Sequence, residues 1–136
     1  MKVKGLDGQV HQWQLSNYFK ERNNASSYHT KAREVLRKEF PTQVILEEVP
    51  IPGLGRALFA DFFIPHRKMM VEVQGQQHYE QIGHFHGTDL LGKLTFARAQ
   101  KRDSRKKEWC ELNGITLIEL SYEEDVSVWR NKIRKG

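Results

Sequence analysis

At 136 residues the chain is the size of one ordinary domain, and 38% hydrophobic with 10% aromatic residues is enough to build a core, which excludes wholesale disorder. The 22 Lys and Arg against 17 Asp and Glu give +5 and a pI near 9.4, a moderate lean towards a polyanionic partner. A single cysteine, Cys110, excludes an internal disulfide and any Cys-rich zinc module, and no run approaches the roughly 18 apolar residues of a membrane span. Met1-Lys2-Val3-Lys4-Gly5 leads into polar residues rather than a signal-peptide core, so a soluble, cytoplasmic protein is expected.

Residues 1–14 read as a hairpin, with turn chemistry in Gly5-Leu6-Asp7-Gly8 and loose alternation from Val10 to Leu15. A polar stretch, Glu21 to Ser27, follows, and Ser26 or Ser27 is the expected N-cap of a helix over about 28–40 that stops before Pro41. Three short apolar runs come next: Val44 to Val49, ending at Pro50; Ala57 to Ile64, ending at Pro65; and Met69 to Gln74, stopped by Gly75. Each is too short for a typical helix and is bounded by Pro or Gly, so they form three consecutive strands of a meander. Residues 76–92 are polar and His-rich and read as a long loop. A helix over about 94–113 ends at Asn113-Gly114 as a C-cap, Ile115 to Leu120 is a fourth strand, and Glu123 to about Lys135 a terminal helix. The fold class is α/β: a mixed central sheet of about four core strands flanked by helices, with an N-terminal hairpin. We divide the chain as one domain, 1–136, with the hairpin and arm at 1–25, the core at 26–121 and the C-terminal helix at 122–136.

Two carboxylates interrupt apolar strands. Asp61 lies in Leu58-Phe59-Ala60-Asp61-Phe62-Phe63-Ile64, and Glu72 in Met69-Met70-Val71-Glu72-Val73-Gln74. An ionised carboxylate there is costly unless a metal, a cation or hydrogen bonds compensate it. Sequential strands pair as neighbours, so the two carboxylates converge at one end of the sheet, an arrangement that binds Mg²⁺ through oxygen. The competing reading, strand residues facing water, is weakened for Asp61 by its apolar alternation partners Phe59 and Phe63.

An Asp in one strand and Glu-x-Gln about ten residues on in the next resembles the PD-(D/E)XK nuclease superfamily. The ordered set Asp61-Phe62-Phe63-Ile64-Pro65, Val71-Glu72-Val73-Gln74-Gly75-Gln76-Gln77-His78, Asp103-Ser104-Arg105-Lys106 and Asn113-Gly114-Ile115 is closer still to a subgroup. That subgroup is the very-short-patch-repair-like and homing-type endonuclease domains of phages and mobile elements. The resemblance implies a restriction-endonuclease-like fold and a metal-dependent endonuclease that hydrolyses phosphodiester bonds in DNA. If phage-encoded, it would act in the bacterial host cytoplasm. Asp61 and Glu72, with the Val73 carbonyl, would hold Mg²⁺ or Mn²⁺. Gln74 stands where the superfamily usually has the lysine that positions or activates water, and Lys106 where Arg is usual.

Around this core the remaining candidates fall into place by geometry. On the first helix Tyr28, Ala32, Val35, Leu36 and Phe40 form the inward stripe. His29 falls on it, so His29 is the preferred helix contribution to the site, with Glu39 in reserve and Glu34 solvated. On the second helix Phe96, Gln100, Asp103, Lys107 and Cys110 share a face, which points Asp103 at the sheet, where it would orient His78. Lys106 or Lys107 would hold a phosphate or the charge developing on it. Arg98, Lys101, Arg102, Arg105 and Lys107, with Arg33 on the first helix, are the expected DNA-binding cations. His78, His84 and His86 lack the Cys partners or His-Glu-x-x-His spacing that would favour zinc. A homodimer is expected if both strands are cut by this single-site domain. The competing function is a catalytically silent DNA-binding protein on the same fold, an alternative kept open by Gln74.

Overall fold

The computed structural model describes residues 1–15, 27–55, 58–74 and 104–136. A small antiparallel hairpin, β1 (Lys2–Lys4) and β2 (Val10–Gln12), precedes helix α1 (Ser27–Glu39). Strands β3 (Leu46–Ile51), β4 (Leu58–Ile64) and β5 (Met69–Gln74) then form an antiparallel meander. Residues 104–112 are helical (α2), strand β6 (Thr116–Ser121) lies parallel to β5, and helix α3 (Val126–Lys135) follows. The sheet order is β3-β4-β5-β6. The expected α/β class, mixed four-strand sheet and N-terminal hairpin are all present.

The two faces of the sheet bury different residues. On one face α1 and α3 cover Phe62, Ile64, Met69, Val71, Ile118 and Leu120, using Ala32, Val35, Leu36, Phe40, Trp129 and Ile133. The stripe at helical spacing on α1 is thus a core stripe. α3 begins at an Asp125 N-cap that accepts the Val128 N–H, and its last turn carries Lys132, Arg134 and Lys135, the sign that suits the negative end of a helix. Arg134 also forks onto Glu39 of α1. On the other face Leu46, Phe63 and Met70 pack with Trp109 and Cys110 of α2 and with Trp13 from the hairpin. Trp13 lies 4.5 Å from the Phe63 ring and edge-on to Trp109, and its indole N–H donates to the Pro50 carbonyl. Gly5 lets the hairpin reach the β3–β4 turn: a Cβ there would stand 2.7 Å from Gly53 Cα.

Two expectations are corrected. Pro50 does not end its strand: it sits within β3 opposite Phe59. β3 is an edge of the sheet, where a missing N–H costs no ladder bond. On α2 Cys110 is buried as expected, beside Trp109, while Lys107 is exposed and Lys106 half-buried, so the inward face is turned by less than one residue from the expected one.

Candidate functional site

The ladder between β4 and β5 consists of only Ile64–Met69, Phe63–Met70 and Phe62–Val71. Beyond that point β4 keeps its pairing with β3 through Ala60, Phe59 and Leu58, while β5 keeps its pairing with β6 through Glu72, Val73 and Gln74. The two central strands therefore fork, and the fork opens at Asp61 and Glu72. Each carboxylate reaches across to the other strand's backbone: Asp61 Oδ2 accepts the Val73 N–H at 2.8 Å, and Glu72 Oε2 accepts the Asp61 N–H at 3.0 Å. These bonds replace ladder bonds that the divergence removes.

Divergence also leaves the Phe59 carbonyl facing the gap, and Lys106 of α2 fills it. Its Nζ donates to the Phe59 carbonyl at 2.8 Å and to Glu72 Oε1 in a close ion pair. The pair is sheltered, with 12% of the Glu72 side chain and 18% of Lys106 exposed. Burial and the neighbouring Asp61 charge push the Glu72 carboxyl up to about 8, against the opposing pull of Lys106. The Glu72 carboxyl thus holds its proton more tightly than an ordinary carboxyl. Cys110, beneath the site, is pushed up to about 12 by burial and then by Glu72, and its thiol lies against the Met70 sulfur. It is a buried, inert cysteine rather than a reactive one.

The other predicted residues are dispersed. Gln74 turns to the neighbouring strand, its amide donating to Glu119 Oε2 at 3.3 Å. Val73 gives its N–H to Asp61. His29 does not join the carboxylates. It lies on the α1 face, stacked on Phe62 at 4.3 Å and bonded to Glu47 Oε1 at 2.7 Å. Arg33 is likewise no surface cation: its guanidinium is bidentate on the same Glu47, at 2.7 and 2.8 Å. All three residues of this cluster are buried, so charge pairing and hydrogen bonds compensate their desolvation. Glu39, the reserve residue, holds Arg134. Arg105 is half-buried, and Lys107 is exposed. His78, His84, His86, Arg98, Lys101, Arg102 and Asp103 lie outside the described residues.

Sequence reasoning missed Glu119 and Glu47. The parallel β5–β6 register sets Glu119 beside Glu72, and the antiparallel β3–β4 register sets Glu47 beside Phe62. An acidic residue in an apolar strand was the available signal at Glu47, the same signal that singled out Asp61 and Glu72. Among the described residues no group of three or more His, Cys, Asp or Glu is arranged to hold a metal ion. No described helix is long and apolar enough to cross a membrane.

The chain is 35% identical over 83 residues to the uncharacterized protein 094L of Frog virus 3 (isolate Goorha), a match covering 60% of this chain and 52% of that one. It is 42% identical over 62 residues to protein 307L of Invertebrate iridescent virus 6, covering 46% of this chain and 29% of the relative. It is also 37% identical over 71 residues to protein 033L of Invertebrate iridescent virus 3, covering 52% and 34%. The chain thus spans from under a third to about half of the length of these viral relatives. No model of a known protein family matches the chain, and no solved structure matches it.

Proposed function

We propose that the chain is a divalent-metal-dependent DNA endonuclease in which Asp61 and Glu72 hold the metal and Lys106 supplies the cation usually carried two residues after the Glu. The observation that carries this reading is the fork: two carboxylates from adjacent strands meet at its mouth, and a lysine amine from α2 already contacts one of them. The order of one helix, three antiparallel strands, a helix and a parallel fourth strand supports the restriction-endonuclease-like architecture implied by the motif resemblance.

The residues present fit Mg²⁺ or Mn²⁺. Mg²⁺ is commonly held by one or two carboxylates, with water and substrate phosphate completing its shell, so a two-carboxylate site suffices. Burial first and the Asp61 charge second raise the Glu72 carboxyl, and a divalent cation would offset both. Once bound, the metal would polarise the phosphodiester and lower the pKa of the attacking water.

The chain's own residues then divide the work. Asp61 and Glu72 position the cation, each fixed by a backbone N–H of the opposing strand. Lys106, held by the Phe59 carbonyl, stands beside Glu72 to stabilise negative charge developing on the phosphate. Gln74, turned to Glu119, is not placed for that task.

A nicking assay on supercoiled plasmid with Mg²⁺, Mn²⁺ or EDTA, run beside Asp61→Ala, Glu72→Ala and Lys106→Ala, tests the proposal. Metal-dependent nicking abolished by the two carboxylate changes is the expected result. Unchanged nicking in both would remove the site assignment. DNA binding without cleavage of plasmid, branched or mismatched substrates would instead favour the silent binder.

A further inference from the structure

β6 ends the sheet on one side, and its outer edge is only partly closed. Thr116 donates to the Lys68 carbonyl and Tyr122 to the Gln74 carbonyl, so Thr116, Ile118 and Leu120 turn their backbone groups to β5. Leu117, Glu119 and Ser121 turn theirs outward. The chain itself closes the far end of this edge: Ser121 N–H donates to Glu124 Oε1, and the Ser121 carbonyl accepts the Trp129 indole N–H. Lys132 Nζ donates to the Glu119 carbonyl at 2.9 Å. The Leu117 N–H, the Leu117 carbonyl and the Glu119 N–H have no partner among the described residues. They lie in a groove of about 520 Å³ with Lys107 of α2 on one side and Lys132 and Lys135 of α3 on the other. Lys132 pairs with Glu124, whereas Lys107 and Lys135 are exposed and form no ion pair among the described residues. Glu119, the one acid among the described lining residues, accepts the Gln74 amide. The groove is therefore basic, with open strand backbone along it.

We infer that this groove takes an extended, acidic segment of a partner protein, which adds a short strand to β6 at Leu117 and Glu119. Leu117 offers a donor and an acceptor side by side, and a peptide group answers both. A nucleic-acid phosphate would suit the lysines but has no N–H to give the Leu117 carbonyl. Successive side chains of a strand point to opposite faces, so neighbouring acids on the partner would meet Lys107 on one face and Lys135 on the other. A second copy of this chain fits poorly, because β6 laid against β6 would bring the lysines of one copy onto those of the other. Lys132 limits the open stretch by holding the Glu119 carbonyl, which also keeps the edge from pairing at length with arbitrary strands. The groove owes nothing to the nuclease reading, and its occupant is a protein whether or not the fork cuts DNA.

The test uses a fluorescein-labelled peptide, Thr-Glu-Glu-Val-Glu-Thr, and a control with lysine in place of each acid. Fluorescence anisotropy should show binding of the acidic peptide and none of the control. Amide hydrogen exchange at Leu117 and Glu119 should slow in the complex. N-methylation of every Glu keeps the peptide's charge but removes its backbone donors, and should abolish binding. Lys107→Glu combined with Lys135→Glu, both exposed positions that leave the core untouched, should lower the affinity about tenfold. Failure of the acidic peptide to bind overturns the inference. So does equal binding of its N-methylated form, or unchanged exchange at the two amides. A DNA duplex that slows exchange at Leu117 and Glu119 would give the groove to nucleic acid, and a dimer in sedimentation that slows it would give the groove to a second copy. Either result removes the acidic strand.

Discussion

Raising the pH from 6 to 8 ionises about half of the Glu72 carboxyl, and metal binding should follow that loss of a proton. With the Glu72 carboxyl pushed up to about 8, roughly 1% of it is ionised at pH 6, about 10% at pH 7 and about half at pH 8. A divalent cation must displace the remaining proton. Mn²⁺ affinity should therefore rise about tenfold from pH 6 to 7 and about fivefold from 7 to 8, with close to one proton released per ion at pH 6. Titration calorimetry in two buffers of different ionisation enthalpy counts that proton directly. The metal-free protein should show the opposite trend in stability. The folded state binds the proton more tightly than the unfolded chain, whose carboxyl titrates near 4.5. The stabilisation is complete below that value and is lost as pH rises through about 8. At about 1.4 kcal/mol per tenfold difference in proton affinity, the loss is of the order of a few kcal/mol, or roughly ten degrees in melting temperature. Glu72→Gln should flatten both profiles. A wild-type Mn²⁺ affinity that is constant between pH 6 and 8 would refute the account of the pair.

Lys106→Met removes the cation that favours ionised Glu72, so the pH at which metal-free protein loses stability should move upward; thermal melts across pH 6 to 9 measure it. On the proposed reading the same change slows DNA cleavage by about 10²–10³-fold, as expected for loss of one group that stabilises developing charge. Glu47→Ala leaves His29 and Arg33 buried without their common acceptor and should cost about 3–5 kcal/mol in denaturant unfolding. Because that cluster lies on the α1 face, Mn²⁺ affinity of the folded variant should stay within about twofold of wild type, and a larger loss would mean that His29 communicates with the carboxylates through Phe62.

Local signals carried the strands and the carboxylate pair, because each depends on neighbours within a few residues. Pro65 and Gly75 bound β4 and β5, and Asp61 and Glu72 stand out as acids in apolar strands. His29 illustrates what local signals omit. Its helical phase correctly predicted burial, but phase says only that a side chain faces the sheet, not which sheet residue meets it. The partner, Glu47, lies 18 positions away, and the β3–β4 register that places it beside Phe62 is a tertiary fact. Lys107 fails for a smaller reason: it lies at the margin of a face whose other member, Cys110, is buried, so a phase error of less than one residue turns it outward. Pro50 fails because edge position, which makes proline tolerable, becomes visible only once all the strands are ordered.

The surroundings of Gln74 are likewise a tertiary fact. In a straight antiparallel pair the residue two after Glu72 would share its face and remain near the carboxylates. Here the fork takes Gln74 away with β6, where its amide finds Glu119. The divergence that carries position 74 off also exposes the Phe59 carbonyl, and that carbonyl anchors a lysine from α2. A cation at Glu72 is therefore not a property of the strand motif in this chain but of the helix that caps the fork. On the proposed function, restoring the strand lysine by Gln74→Lys should not rescue Lys106→Met, because a residue paired into β6 points to Glu119. Rescue of nicking in that double variant would show that the strand position still reaches the scissile phosphate, and the assignment of the charge-stabilising role to Lys106 would have to be withdrawn.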